Sequence, residues 1–496
     1  MTDTHAATPA AGVAGASRAR RWWVFALLCV TQLMIVLDGT VVNIALPSAQ
    51  RALHFDDGNR QWIITAYTLT FGSLLLLAGR LADLIGQRTT LAIGLAGFAA
   101  ASAVGGASTD FTMLVAARAV QGGFAALLAP AILALLTTTF TQGTERSRAF
   151  GVFGAIASGG ASVGLLLGGV LTEYLSWRWT MYVNILFAVP ALLGTFRLLP
   201  PHNPEHRPKL DVPGTVTVSA GLVALVYGVS DAQAEGWGST TTVGCLIAAV
   251  VLLTVFVLLQ RHGSDPLLPL RLLLDRDRAG ALLTMSLAIS GMFGIFLFVT
   301  YYMQVNLGYS AVETGVAFLP LPGTLVLMTS VIGPPISRRV GPKILVPLGM
   351  ALGAASLLWL MRIGVQGNYF LDLFPTFAVF GVALGLIFSA TPNLATLGVE
   401  EDDAGAASAM VNTVQQVGGS IGTALLNTVA AAAAAGWLAG RVPTAALSGQ
   451  AQIHSYITAF AWGAGIFAVG AVIALVMLRP GVPAGFTDAE QPIVVH

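Results

Sequence analysis

MIVLDGTVVNIALP, residues 34–47, is the stretch that decides the fold class. It places one carboxylate, Asp38, inside an apolar run that otherwise extends from Trp22 to Pro47. A run of that length is enough to cross a bilayer core, which takes roughly 20 apolar residues as a helix. At 1.5 Å per residue, Asp38 lies about 24 Å along that helix from Trp22, in the outer third of the membrane. A charge there costs about 2.5–3.5 kcal/mol or more if it faces lipid, so it calls for a partner.

The rest of the chain has the same character. Its 496 residues are 55% hydrophobic and 9% charged, with mean hydropathy +0.79. Soluble domains carry about 25% charged residues, so this chain cannot coat a soluble surface of its size. Fourteen apolar runs are long enough to span a bilayer, from 22–47 to 456–478, and the seventh and eighth lie at 212–231 and 241–260. With the N-terminus inside, eighteen of the 24 Lys and Arg residues fall on inner segments and five on outer ones, among them Arg51 and Arg60. Arg118 alone falls within a span. This asymmetry predicts both termini on the cytoplasmic side.

Composition excludes several classes. A net charge of +1 gives no bulk attraction to nucleic acid. There is no phosphate-binding GxxxxGK[ST] loop, and the only lysines are Lys209 and Lys343, which disfavours an ATP-driven pump within this chain. Cys29 and Cys245 lie in apolar runs and read as small buried hydrophobes. No HExxH or Cys/His pair has metal-ligand spacing, His202 and His206 lie i, i+4 only in a Pro-rich loop, and the acidic group EEDD at 400–403 has no histidine nearby, which disfavours a membrane enzyme; no loop is long enough for the soluble domain a sensor needs. The expectation is no enzyme activity, no metal and no cofactor.

A weak repeat runs through the sequence. GRLADLIGQR (79–88) is echoed by ISRRVGPK (336–343), with Gly341 and Lys343 placed like Gly86 and Arg88. GASVG (160–164) is echoed by GGSIG (418–422), an offset of 258 residues. The expected organisation is a disordered tail (1–21), a six-helix bundle (22–199), two extra transmembrane helices with linkers (200–279), a second six-helix bundle (280–479) and a tail (480–496). Paired halves of this kind mark secondary transporters, which bind cargo near the midplane.

Arg118 lies 8 residues past Asp110, about 12 Å below the outer surface, close to the depth of Asp38. The economical arrangement turns both charges into the bundle, near one another or sharing a cavity. Asp38 is then a candidate proton-titrating carboxylate and Arg118 its coupling partner; the plainer reading is a static ion pair. Gln121, one turn beyond Arg118, belongs to the same polar face. Gly79 and Gly86 permit a tight turn, and Asp83 can pair with Arg88 or accept bonds from a helix N-terminus. Gly160, Gly164, Gly168 and Gly169 form a small-residue stripe in the fifth span, suited to close packing and a candidate hinge. Polar and aromatic residues inside spans outline a candidate substrate cavity: Gln32, Trp62, Tyr67, Gln121, Asn184, Phe293, Phe296, Tyr301, Asn393, Asn412 and Gln415. Its scarcity of acids suits a hydrophobic or amphipathic substrate.

Over residues 22–479 the chain resembles the major facilitator superfamily, and within it the fourteen-span drug:proton antiporters. LDGTVVNIALP is similar to that family's first-helix motif, GRLADLIGQRTTL to the signature between helices two and three, RAVQGGFAA to the fourth-helix motif, and SWRWTMYVNI to the entry to helix six. The resemblance implies two six-helix bundles plus two helices, with Asp38 and Arg118 in proton coupling. It also implies a conformational switch at Gly79, Asp83, Gly86 and Arg88. Leu84 and Gln87 replace basic residues of the signature, and Leu165 follows Gly164 where the antiporters carry proline. The expected function is proton-coupled efflux of drugs or antibiotics across a bacterial cytoplasmic membrane, by a monomer among membrane lipids, with the proton gradient as energy source. The Leu165 departure keeps two alternatives open: a translocator of lipids or amphipathic metabolites, and solute uptake.

Overall fold

The computed structural model describes residues 18–140, 143–200, 211–263, 266–268, 270–399, 404–441 and 444–481, and it is all helix and turn. A backbone in lipid has no water to bond, and closing every N–H···O=C bond within the segment makes each apolar run a helix. The first half comprises α1 (Arg18–Leu53), α2 (Trp62–Ile85), α3 (Gln87–Gly106), α4 (Phe111–Thr139), α5 (Gly143–Tyr174) and α6 (Trp179–Leu198). Two further helices, α7 (Val212–Glu235) and α8 (Thr240–His262), pair as a hairpin. The short α9 (Arg271–Leu274) leads into α10 (Arg276–Tyr301). The next span is built in pieces, α11 (Ala311–Phe318), α12 (Pro320–Leu327) and α13 (Gly333–Val340), with a π-helical turn at Met328–Ile332. The second half ends with α14 (Pro342–Leu360), α15 (Phe374–Thr396), α16 (Ala404–Leu438) and α17 (Ala445–Met477).

Thirteen helical segments among the described residues are long and apolar enough to cross a membrane, and α2 adds the shorter apolar stretch Trp62–Leu75. The helices overrun the apolar runs. The first begins at Arg18, so residues 18–21, expected in the disordered tail, form its opening turn. Arg18 and Arg21 reach Glu145 at the start of α5, at 3.0 and 3.2 Å, and Arg20 donates to the Leu198 carbonyl ending α6. Residues 1–17 and 482–496 of the expected tails lie outside the described residues, as does the 201–210 linker.

Helix starts carry side-chain caps where the chain re-enters the bundle. Asp110 accepts from the Met113 N–H, Asp211 from Gly214 and Asp275 from Arg278. Ser310 and Glu313 form a reciprocal capping box. The repeat is visible in the backbone: Gly86 joins α2 to α3 at φ 88°, and Gly341 joins α13 to α14 at φ 80°. Both reversals use a conformation that a Cβ disfavours. Gly79 is different: it sits inside α2 with open space where a Cβ would go, so it is not required by the turn.

The described bundle has two faces. The starts of α1, α5 and α10 and the ends of α6 and α17 meet at one, here the near face; Arg479 pairs there with Asp277. At the far face the halves close on each other. The described side-chain hydrogen bonds that join them lie on that side. Gln304 donates to the Ile44 carbonyl at 2.9 Å, the Val312 N–H to Glu173 at 2.8 Å, and the Thr68 and Ser420 hydroxyls share a bond of 2.7 Å. Here α5 meets α11 backbone to backbone. A Cβ on Gly169 would lie 2.7 Å from the Ala311 carbonyl oxygen, and one on Gly315 2.6 Å from that of Leu165. The α7–α8 hairpin covers the seam between α2 and α16, touching the first half at Ser73 and the second at Thr428.

Candidate functional site: a buried carboxylate cluster

Asp38 is fully buried and Arg118 is 2% exposed. The Arg118 Nη1 lies 2.6 Å from one Asp38 oxygen. The other oxygen accepts from Gln121 Nε2 at 2.8 Å and from Asn184 Nδ2 at 2.7 Å. Gln121 also donates to Ser102 Oγ at 2.8 Å and accepts from Arg118 Nη1 at 2.7 Å. The Arg118 Nε donates to the Ile63 carbonyl at 3.1 Å, in the first turn of α2. The Tyr67 ring lies against the guanidinium, 4.2 Å from its carbon to the ring centroid. Five helices thus converge on one carboxylate.

The chemistry follows from the donor inventory. Arg118, Gln121 and Asn184 all present N–H donors to Asp38, and a carboxylate is acceptor-only. A protonated Asp38 would turn an O–H toward a ring of donors. Breaking such a buried pair from one side costs about 3–5 kcal/mol, because the remaining charge is stranded.

The other expected site residues are scattered. Tyr67, Gln121 and Asn184, expected in the substrate cavity, belong to the carboxylate cluster. Trp62 stacks on Tyr227 of α7, 6.0 Å between centroids, at the seam rather than in a cavity. Phe296 packs on Phe318 at 5.3 Å in the second half's core, and Tyr301 donates its hydroxyl to Gln50 at the far face. Phe293 lies against Gly419, where a Cβ would meet it at 2.8 Å. Gln415 Nε2 approaches the Met285 sulfur at 3.5 Å, and Asn393 donates to the Ser389 carbonyl at 3.5 Å. Gln32 is half-buried and Asn412 exposed.

At the near-face turn, Arg88 donates to the Phe196 carbonyl at 3.2 Å, so it ties α3 to α6. The Asp83 side chain lies outside the described residues. The glycines of α5 are contact points along an unbroken helix rather than a kink. Gly160 meets Val36, Gly164 meets Thr40 and Gly168 meets the Val41 backbone within the first half, whereas Gly169 meets α11 across the halves. Ser102 and Arg60 escaped the sequence reading. Ser102 looks like any small residue of a packed span, and Arg60 counts as an outer loop charge until the fold buries it.

Comparisons with known proteins agree on one family. The model of the Major Facilitator Superfamily matches residues 28–423. A puromycin resistance protein of Streptomyces alboniger is 46% identical over 92% of both chains. A cephamycin export protein of Amycolatopsis lactamdurans is 35% identical over 95% of this chain and 94% of its own. A tetracenomycin C resistance and export protein of Streptomyces glaucescens is 34% identical over 87% and 80%. Among solved structures, a bacterial homologue of the human lysosomal transporter Spinster, inward-facing and unoccupied, aligns with TM-score 0.65 over 93% of this chain and 97% of that one. At 13% identity that likeness concerns the fold alone. The chain, a multi-pass membrane protein with the major facilitator fold, belongs to the major facilitator superfamily.

Proposed function

We propose that this chain exports hydrophobic or amphipathic antibiotic-like compounds across the bacterial cytoplasmic membrane by alternating access, in exchange for protons. The relatives, named for antibiotic resistance and export, support the cargo class and the direction. The Lys and Arg bias supports a cytoplasmic near face with both termini on it. Residues 22–199 and 280–479 are then the moving halves, closed outside in this structure, with residues 200–279 contributing the seam-covering helices. Gln32, Phe293, Asn393, Asn412 and Gln415 remain the sequence-derived candidates for substrate contact, outside the carboxylate cluster, the α2–α7 seam, the Phe296–Phe318 core and the Tyr301 contact at the far face. The transporter works as a monomer, and Arg88, Gly86 and Asp83 mark the near-face switch.

The single observation that carries the coupling is the donor-only surrounding of Asp38. In this state the anion is held by Arg118, Gln121 and Asn184. Protonation removes the charge those donors are arranged around, and a cluster of discrete contacts has to adopt a second arrangement. A proton arriving from outside and leaving inside would so pull the halves through their cycle. The test is flux of lipophilic drugs into liposomes under an imposed pH gradient, with wild type beside Asp38→Asn. Gradient-driven flux lost in the variant supports antiport. Flux indifferent to both gradient and substitution returns Asp38 to a static ion-pair partner.

A further inference from the structure

A second buried arginine lies at the far face. Arg60, in the turn before α2, is 4% exposed. Its nearest carboxylate, Asp57, is in its own half at 3.8 Å and is itself 59% exposed. Its other contacts reach into the opposite half. The guanidinium carbon lies 4.3 Å from the Tyr301 ring centroid and 5.5 Å from that of Phe298, both on α10. Its Nε donates to Asn427 Oδ1 of α16 at 3.3 Å, and Asn427 Nδ2 returns a bond to the Gly58 carbonyl at 3.2 Å. The Tyr301 hydroxyl donates to Gln50 Oε1, and Gln50 Nε2 donates to Asp57 at 2.7 Å. The contacts form a closed circuit that crosses the halves twice.

We propose that Arg60 is a latch that holds the transport pathway shut at the far face, and so a positioning residue for export. An arginine enclosed by aromatic rings and an amide is strongly held only while desolvated. If the halves part, Arg60 loses Tyr301, Phe298 and Asn427 and keeps water and Asp57. The interaction is therefore worth more in the closed state than in the open one, which is the condition for shifting a conformational equilibrium. The latch also adjoins the carboxylate cluster. Ile63, whose carbonyl accepts from Arg118, is three residues along the chain from Arg60. The short segment from Arg60 to Ile63, which leads into α2, thus carries a contact to the buried Asp38–Arg118 pair and a contact to the opposite half.

The experiment measures the far-face separation directly. Spin labels at Ala52→Cys and Gln366→Cys, in a Cys29→Ser, Cys245→Ser background, report inter-half distances by double electron–electron resonance in lipid nanodiscs. Arg60→Ala is expected to raise the long-distance, open population relative to the closed one by about tenfold or more. Tyr301→Leu and Asn427→Ala, acting from the other half, should move it in the same direction and keep the test informative if Arg60→Ala folds poorly. The double variant Arg60→Ala, Tyr301→Leu should fall short of the sum of the single effects, because the Arg60–Tyr301 contact is lost in both. Arg362→Ala, an exposed far-face arginine, should leave the distances unchanged. Unchanged distances in folded Arg60→Ala and Tyr301→Leu, or fully additive effects in the double variant, would overturn the latch. No substrate or proton gradient enters this measurement, so its failure leaves the export reading standing, and the reverse also holds.

Discussion

The two halves repeat one backbone plan, yet their centres are built from opposite materials. In the first half, α1, α2, α3, α4 and α6 meet on Asp38 through Arg118, Gln121, Asn184, Ser102 and the Tyr67 ring. In the second half, the position 258 residues beyond Asp38 is Phe296. It stacks on Phe318, which lies 4.9 Å from Phe377, while Phe380 meets Phe467 at 5.4 Å. A charge cluster can exist in two protonation states and two arrangements. A packed aromatic core has one arrangement and resists deformation. The difference teaches that a repeated fold need not repeat its chemistry: one half is built around a buried ion pair, the other around packed aromatic rings.

The largest effect expected from this contrast is that of Asp38→Asn. It should reduce gradient-driven flux in liposomes to the level of empty vesicles and lower unfolding stability by about 3–5 kcal/mol, as Arg118 loses its counter-charge. Flux at wild-type level would erase the functional difference between the halves. Arg118→Lys comes next. Lysine keeps the charge but not the fork that reaches Asp38, Gln121 and the Ile63 carbonyl together, so transport should fall by about tenfold or more with a lowered melting temperature. A variant with unchanged kinetics would show that charge alone suffices.

In the second half, Phe318→Ala should cost about 3–5 kcal/mol through the cavity it leaves. The folded fraction should still transport only when a gradient is imposed. Loss of gradient dependence there would place coupling chemistry in the aromatic core and break the comparison. Asn184→Ala should have the smallest effect. It removes one of three donors to the carboxylate, a bond worth about 1.5–3 kcal/mol, and should slow flux without abolishing its dependence on the gradient. Thermal unfolding and flux on the same samples separate the two effects.

Much of this was legible in the chain itself. The membrane class and the fourteen apolar runs follow from hydropathy, because a bilayer asks only for length and apolarity. The depth of Asp38 and Arg118 follows from residue spacing, and each charge announces a partner because lipid cannot solvate it. The positive-φ junctions at Gly86 and Gly341 follow from the repeat. The sideways arrangement of the helices was not legible. Lipid-facing and protein-facing surfaces are both apolar in a membrane, so the pattern that orients a soluble helix is nearly absent.

That is why Tyr67 and Asn184 read as cavity residues, Trp62 as a substrate contact and Arg60 as a loop charge. The sequence by itself determined that this protein crosses the membrane many times and carries two charges that need each other. Only the tertiary structure decided which neighbours satisfy them, since Asp38, Ser102, Arg118 and Asn184 are separated along the chain and meet solely through helix packing. It likewise decided that the far face is the closed one, because that depends on how the two halves tilt against each other, a rigid-body relation that no local spacing encodes.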